Sequence, residues 1–369
     1  MHVDQSIRHA RIGPERSRRL RDAHWPAVLC CGTGLWLGAI AVTAVTSNAL
    51  LLPTDILAGS FVVPVTAAVW IFEHAADSTL APRRVLLAFV VGGGLSMLLA
   101  VLVEHWLLPS GGMRSVSVGL IEEVAKATLV MIFAAGLARF GTRSGMLLGA
   151  AVGFGYAALE SSGYALNAFN GLLAPGRVGD GLIFMFQVES DRAIFAPVLH
   201  GLWTSVLGGI MFRTASRTRQ LRVIPVMIGA LFLVVALHAS WDAMDDVAAF
   251  VAAATTHSVV SSTLESVASA IALTGRVAVC LTGAAAAITI WRGEHRPTGA
   301  AATRVVQYPT VAAAGMQLVL TMHWSVWRLS GGTYEGMASG APESTMPSSG
   351  NDLEAAEWTS TRTPLVHGC

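Results

Sequence analysis

Apolar residues in this chain occur in long continuous runs, not in strand-like alternation or a single amphipathic stripe. A helix needs roughly 20 apolar residues to cross a bilayer core about 30 Å thick. Runs of that size fall near 27–46, 56–73, 85–103, 115–137, 144–166, 193–212, 223–245 and 268–291. Gly92-Gly93-Gly94, Pro64, Pro197 and Pro225 lie within them, a mixture that spanning helices tolerate better than soluble ones. The pattern predicts an all-α, polytopic membrane helix bundle of about eight transmembrane helices. No internal repeat accompanies it.

Composition agrees. The hydrophobic set makes up 53% of the 369 residues, only 13% are charged, and the mean hydropathy is +0.59, whereas soluble domains carry roughly a quarter charged residues. A soluble enzyme and a disordered regulator fit poorly. A net charge of +1 gives no attraction to polyanions, so no nucleic-acid partner is expected. Cys30, Cys31, Cys280 and Cys369 form neither a CxxC metal spacing nor a disulfide framework.

Arginines orient the bundle. The segments on the side of the amino terminus carry 17 (Arg8, 11, 16, 18, 19, 21, 83, 84, 139, 143, 213, 217, 219, 222, 292, 296 and 304), against three on the other side, Arg114, Arg177 and Arg192. The positive-inside rule is met by eight spans with both termini cytoplasmic. Residues 1–26 then form an Arg-rich cytoplasmic segment and 27–291 the transmembrane helical domain. Residues 292–369, rich in Ser, Thr, Gly and Pro over 330–350, read as a disordered cytoplasmic tail. The first run is too long for a signal-peptide core and reads as a retained anchor. The stretch 245–265 reads as an outer-face or interfacial segment, because a crossing there would put Arg292 and Arg296 outside. Val311–Trp324 is too short to span. A multi-pass protein of the plasma membrane is expected.

Ionisable residues inside spans are expensive and face the protein interior, which makes each a candidate for function. The fourth run holds Glu122-Glu123-Val-Ala-Lys126, with the only lysine of the chain. Glu122 and Lys126 sit four apart with the acid first, the favourable helical order. The fifth run places Tyr156 and Glu160 on one face. The sixth begins at Asp191-Arg192 and reaches His200, and the seventh ends on His238-Ala-Ser-Trp241-Asp242. Counted from alternating ends, Glu122, Glu123, Glu160, His200 and His238 lie roughly 9–12 Å below the outer surface at 1.5 Å rise per residue.

Two imidazoles and several carboxylates in one dry pocket suit a metal site with an open position. Histidine nitrogens and carboxylate oxygens are ordinary zinc ligands, and a catalytic zinc takes three of them plus a water. The metal brings the water's pKa to about 7, and a neighbouring carboxylate takes its proton. On this reading His200, His238 and Asp242 are candidate metal ligands. Glu122, Glu123, Lys126 and Glu160 are candidate catalytic groups, with Glu122 or Glu123 as base, Lys126 keeping Glu122 ionised, and Glu160 alternatively a residue that orients a ligand.

Glu122-Glu123-x-x-Lys126, Tyr156-x-x-x-Glu160, Arg192 ahead of His200, and His238-x-x-x-Asp242 resemble, in order and over roughly 115–245, the PrsW family of intramembrane metalloproteases. That family is distantly similar to the prenyl-protein CAAX endoproteases. The resemblance implies helices packed around a polar cavity, a glutamate that activates water, and a membrane-protein substrate such as an anti-sigma-factor-like regulator. Tyr156 stands where the family more often has Phe.

Other readings compete. Glu122, Glu123 and Lys126 also suit a structural ion pair, and His200 a core histidine. A proton-coupled transporter places Glu, Lys and His at mid-membrane, although no repeated halves are visible. A non-catalytic scaffold would bind partner helices through small-residue faces such as Gly145–Gly149–Gly153.

Overall fold

Prolines open many of the helices. Pro26, Pro53, Pro82 and Pro225 stand in first turns, where a missing N–H has no intrahelical partner to lose. In this computed structural model the described residues are 23–293, apart from 76–79, 109–110, 112, 138, 172–177, 219, 222 and 257–260. The start of the Arg-rich segment and the tail from residue 294, with Val311–Trp324, lie outside them.

Every regular element among the described residues is helical. They are α1 (Trp25–Thr46), α2 (Leu52–His74), α3 (Pro82–Leu87), α4 (Gly93–Leu107), α5 (Arg114–Ala134), α6 (Thr142–Gly171), α7 (Val178–Ala196), α8 (Leu202–Thr218), α9 (Pro225–Asp242), α10 (Met244–Thr256) and α11 (Ser261–Arg292). α3 continues into α4 through a π turn at Ala88–Gly92, and α7 into α8 through another at Pro197–Gly201.

Each apolar run read from the sequence coincides, to within a few residues at its edges, with one of these helices or with two joined by a π turn. Among the described residues, six stretches are long and apolar enough to cross a membrane: Trp25–Thr46, Ala49–His74, Pro82–Leu107, Gly179–Thr218, Pro225–Asp242 and Ser262–Arg292. α5 and α6 fall short of that measure for a physical reason. Glu122, Glu123 and Lys126 occupy the middle of α5, and α6 dilutes its apolar residues with Gly, Ser, Tyr156 and Glu160.

The sixth run begins earlier than 193. Its helix starts at Val178, so Arg192 stands inside a helix, not at its boundary. The stretch 245–265 contains α10, whose 13 residues extend about 20 Å. α10 folds back on the first half of α11, with Met244 against Gly275 and Asp245 Oδ2 2.6 Å from Arg276 Nη2.

α6 is the axis of the bundle. Nearly all of its residues from Ser144 to Ala158 are buried, and with Trp203, Leu207, Met211 and Phe212 of α8 they form the main core. Its glycines make the close approach possible. A Cβ on Gly145, Gly149 or Gly153 would strike the carbonyl oxygens of Gly208, Thr204 or His200 respectively. The small-residue face considered above as a surface for partner helices is therefore spent inside the molecule.

On the other flank, α1 and α2 dock on α7. Trp36 Nε1 donates to Glu189 Oε2 at 2.8 Å, and Thr43 Oγ1 donates to Asp55 Oδ2 at 2.7 Å. All four of these side chains are buried.

Gly149→Val forces a branched side chain into the Thr204 carbonyl, and overpacking of this kind costs about 1–3 kcal/mol. The unfolding midpoint of the detergent-purified chain should fall. Gly163→Ala, where a Cβ meets nothing within 4 Å, should leave it unchanged or raise it.

Candidate functional site

The site grows out of one turn of α5. Glu122 and Glu123 lie four and three residues before Lys126, so one ammonium reaches both carboxylates. Lys126 Nζ donates to Glu122 Oε2 at 3.1 Å and to Glu123 Oε1 at 2.8 Å. Lys126 and Glu123 are fully buried and Glu122 is 5% exposed. A buried charge is tolerated only when paired and hydrogen-bonded, and here each is. The ammonium also stands 4.2 Å above the Tyr156 ring.

The π turn delivers His200. Pro197 has no N–H to carry the α-helical ladder forward, and the backbone widens over Pro197–Gly201. π turns of this kind recur at functional sites. Gly153 lets α6 press on the His200 carbonyl, and Gly201 makes room for the Phe154 ring. His200 Nδ1 lies 2.9 Å from Lys126 Nζ, and its Nε2 lies 2.9 Å from Glu160 Oε2.

Glu160 is held from the other side by Arg192. The guanidinium donates through Nη2 to Glu160 Oε2 at 2.6 Å and through Nε to Ser161 Oγ at 2.9 Å. It also stacks 4.3 Å from the Tyr164 ring centroid. Arg192 thus fixes Glu160, and Glu160 fixes His200.

His238 arrives from α9. Its Nδ1 lies 3.0 Å from Glu123 Oε1, and its Nε2 lies 3.8 Å from Glu122 Oε2 and 3.6 Å from Asp242 Oδ2. The Trp203 ring, 5.5 Å away, and the His200 ring, 5.4 Å away, close the space around it.

These contacts set the tautomers of the neutral rings. An ammonium only donates and a carboxylate only accepts. His200 therefore accepts at Nδ1 and donates from Nε2 to Glu160, while His238 donates from Nδ1 to Glu123. His200 Nδ1, which the Lys126 ammonium occupies, and His238 Nε2 then lie near the same atom, Glu122 Oε2, at 3.9 and 3.8 Å. Ligand atoms of Glu122, His200 and His238 all lie within 4.8 Å of one another. Two imidazoles and a carboxylate are the donor set of a three-ligand catalytic zinc. Histidines whose second nitrogen is held by a carboxylate are the usual form of its ligands.

All seven residues singled out in the sequence are brought into this one cluster. Glu122, read as catalytic, is the carboxylate that converges with both histidines. Asp242, read as a ligand, lies 3.6 Å from His238 Nε2, the nitrogen that Glu122 also approaches, but does not join the three-residue group with His200. Glu160 touches His200 on the nitrogen that faces away from Glu122.

One acid was missed. Glu104 of α4 lies within electrostatic reach of Glu122, Glu160 and His238, and its Oε1 is buried without a hydrogen-bond partner among the described residues. The signal was present. Ser96, Ala100 and Glu104 are spaced by four, and the first two are fully buried. The predicted run ended at 103, which left the acid one residue outside.

No curated protein and no solved structure gives a match to the chain. The family model for PrsW family intramembrane metalloproteases matches residues 81–268. That interval runs from the start of α3 into α11 and contains every residue of the cluster. The match takes in half of the chain, which therefore belongs to the PrsW family: it is a multi-pass membrane protein and an intramembrane metalloprotease, a peptide hydrolase acting on membrane-embedded substrates.

Proposed function

We propose that this chain is a zinc-dependent intramembrane endopeptidase of the plasma membrane whose catalytic pocket opens toward the outer leaflet. Its substrate would be a membrane-protein regulator of the anti-sigma-factor type. The observation that carries the mechanism is the approach of His200 Nδ1 and His238 Nε2 to Glu122 Oε2, with one ligand atom of each residue within 4.8 Å of the others. His200, His238 and Glu122 would hold the zinc. When bound, the ion supplies a water acidified to about pKa 7 and polarises the scissile carbonyl.

The other residues prepare that site. Glu123 and Glu160 fix the tautomers of His238 and His200, so both acids have a positioning role. Arg192 keeps Glu160 in place. Lys126 balances Glu122 and Glu123. One of its donors points at His200 Nδ1, the nitrogen that would hold the ion, while the carboxylates take the other two. Glu122, as a ligand, leaves proton transfer to another acid at the pocket.

Helix directions support eight spans with both termini cytoplasmic. Contacts pair Gly145, Gly149 and Gly153 with Gly208, Thr204 and His200, so α6 and α8 run antiparallel. Gly92 with Val152, and Gly94 with Leu159, make α4 parallel to α6. Trp203 with Gly283, and Gly209 with Ile290, make α8 parallel to α11. These are the senses that strict alternation requires. The cluster then lies toward the end where α4 and α9 finish and α5 begins, the outer end by the arginine distribution.

N-terminal labelling of membrane proteins, in cells carrying the parent chain or Glu122→Gln, tests the reading. Parent cells should contain new peptide termini near the external ends of substrate spans, and Glu122→Gln cells should lack them. Cuts mapping to cytoplasmic loops would refute the outer-leaflet pocket.

The two neighbouring acids should separate by metal content. Purified Glu122→Gln should lose stoichiometric zinc. Glu123→Gln should keep it with affinity weakened about 10–100-fold, the usual effect of removing a carboxylate that orients a ligand. Chelator titration followed by elemental analysis reads both.

Lys126→Met removes the cation from two buried carboxylates. Breaking a buried pair in this way costs about 3–5 kcal/mol, and the variant should unfold at a markedly lower temperature than the parent.

A further inference from the structure

Each acid of the family motifs is committed to a neighbour. Glu122 and Glu123 take Lys126, Glu123 also takes His238, Glu160 takes His200 and Arg192, and Asp242 lies beside His238. A group that accepts a proton from water needs a basic oxygen that no cation occupies and a route to solvent. Glu123 Oε2 has no hydrogen-bond partner, but its carboxylate is fully enclosed and held by an ammonium at 2.8 Å.

Glu104 meets both needs. It is half-buried three residues before the end of α4, on the face that Ser96 and Ala100 press into the bundle. Ala100 packs with Ala125 of α5 and Tyr156 of α6, so Glu104 stands one turn nearer the helix end on the same inward face. Glu122 and Arg114 of α5, Glu160 and Tyr156 of α6 and His238 of α9 are the ionisable groups facing it. None forms an ion pair with it among the described residues, and its buried Oε1 is unpartnered.

We propose that Glu104 is a further catalytic residue, the proton carrier of the hydrolysis. This rests on the peptidase reading above. Glu104 Oε1 takes one proton from the attacking water as the remaining hydroxide forms its bond to the scissile carbonyl carbon. When the carbon–nitrogen bond breaks, the same carboxyl returns the proton to the leaving nitrogen. One water is consumed, one acid and one amine are formed, and Glu104 is regenerated. Its place at the end of α4 also connects the enclosed cluster to outer water.

Membranes from cells expressing the parent, Glu104→Gln, Glu104→Asp or Glu122→Gln are incubated across a pH series, and new peptide termini are quantified by N-terminal labelling. A proton carrier contributes about 10²–10⁴-fold to rate. Glu104→Gln should therefore cleave slower by that factor, without the parent's decline toward acidic pH, while zinc content and unfolding midpoint stay at the parent values. Glu104→Asp should retain that acid-side decline at a reduced rate, and it carries the test if the Gln variant does not accumulate. Glu104→Gln cleaving at the parent's rate, or slower with an unaltered pH profile, overturns the proposal. Termini lost only in Glu122→Gln would leave the peptidase reading standing without it. Their absence from the parent would overturn both.

Discussion

A single ammonium holds this pocket together. Lys126 is the only lysine in the chain, and it contacts Glu122, Glu123 and His200 at 2.8–3.1 Å with no exposure to solvent. Without it, two adjacent carboxylates would stand inside a low-dielectric bundle, which neither desolvation nor mutual repulsion permits. A compact, rotatable ammonium suits three acceptors in different directions better than the planar fork of an arginine. The arginine in this region, Arg192, does the opposite work. Its fixed geometry spans Glu160, Ser161 and the Tyr164 face, and so holds one carboxylate in one place.

Charge balance alone would not bring four helices to one point. Backbone proximity does that, and glycine supplies it. The α6 glycines at 145, 149 and 153 bring its backbone onto α8 and onto the His200 carbonyl. Gly155 does the same for the π turn at Ala88–Gly92 through the Phe89 carbonyl. Between lipid-soluble helices there is little hydrophobic driving force, so close packing of small residues is the main source of cohesion. The glycines that cost α6 its apolar character are thus what position the histidine. The same trade explains why α5 and α6 carry chemistry and fall below the apolarity of a lipid-facing span, while α1, α2 and α11 surround them with apolar surface.

Much of this was legible because lipid enforces simple rules. Long apolar runs gave the helices, and rare internal charges gave Glu122, Glu123, Lys126, Glu160, His200, His238 and Asp242, since an unneeded charge at that depth is too costly to keep. What failed to show depends on side-chain direction or on helix ends. Asp180, Glu189, Asp191 and Arg192 hid most of α7, because charges along a helix lower its hydropathy to that of a loop. The π turns leave no periodic mark beyond Pro197. Glu122 and Asp242 could not be told apart as partners of His238, since they lie 3.8 and 3.6 Å from its Nε2 and only the approach of His200 from another helix singles out Glu122. Glu104 was lost to a boundary drawn one residue early.

The arrangement of the acids follows from a demand peculiar to hydrolysis in a membrane. The reaction needs water and a proton path, yet every polar group admitted to the bundle must be satisfied there. The structure meets both by layering. Deepest is Glu123, enclosed and neutralised by Lys126 and His238. Around it lie the two histidine rings and Glu122, one ligand atom of each within 4.8 Å of the others. Toward the helix ends come Glu160, with its arginine, and Glu104, with an unpartnered oxygen. Pairing is loosest at Glu104, so water can be drawn toward that end of the site without exposing the deep ion pair that keeps it assembled.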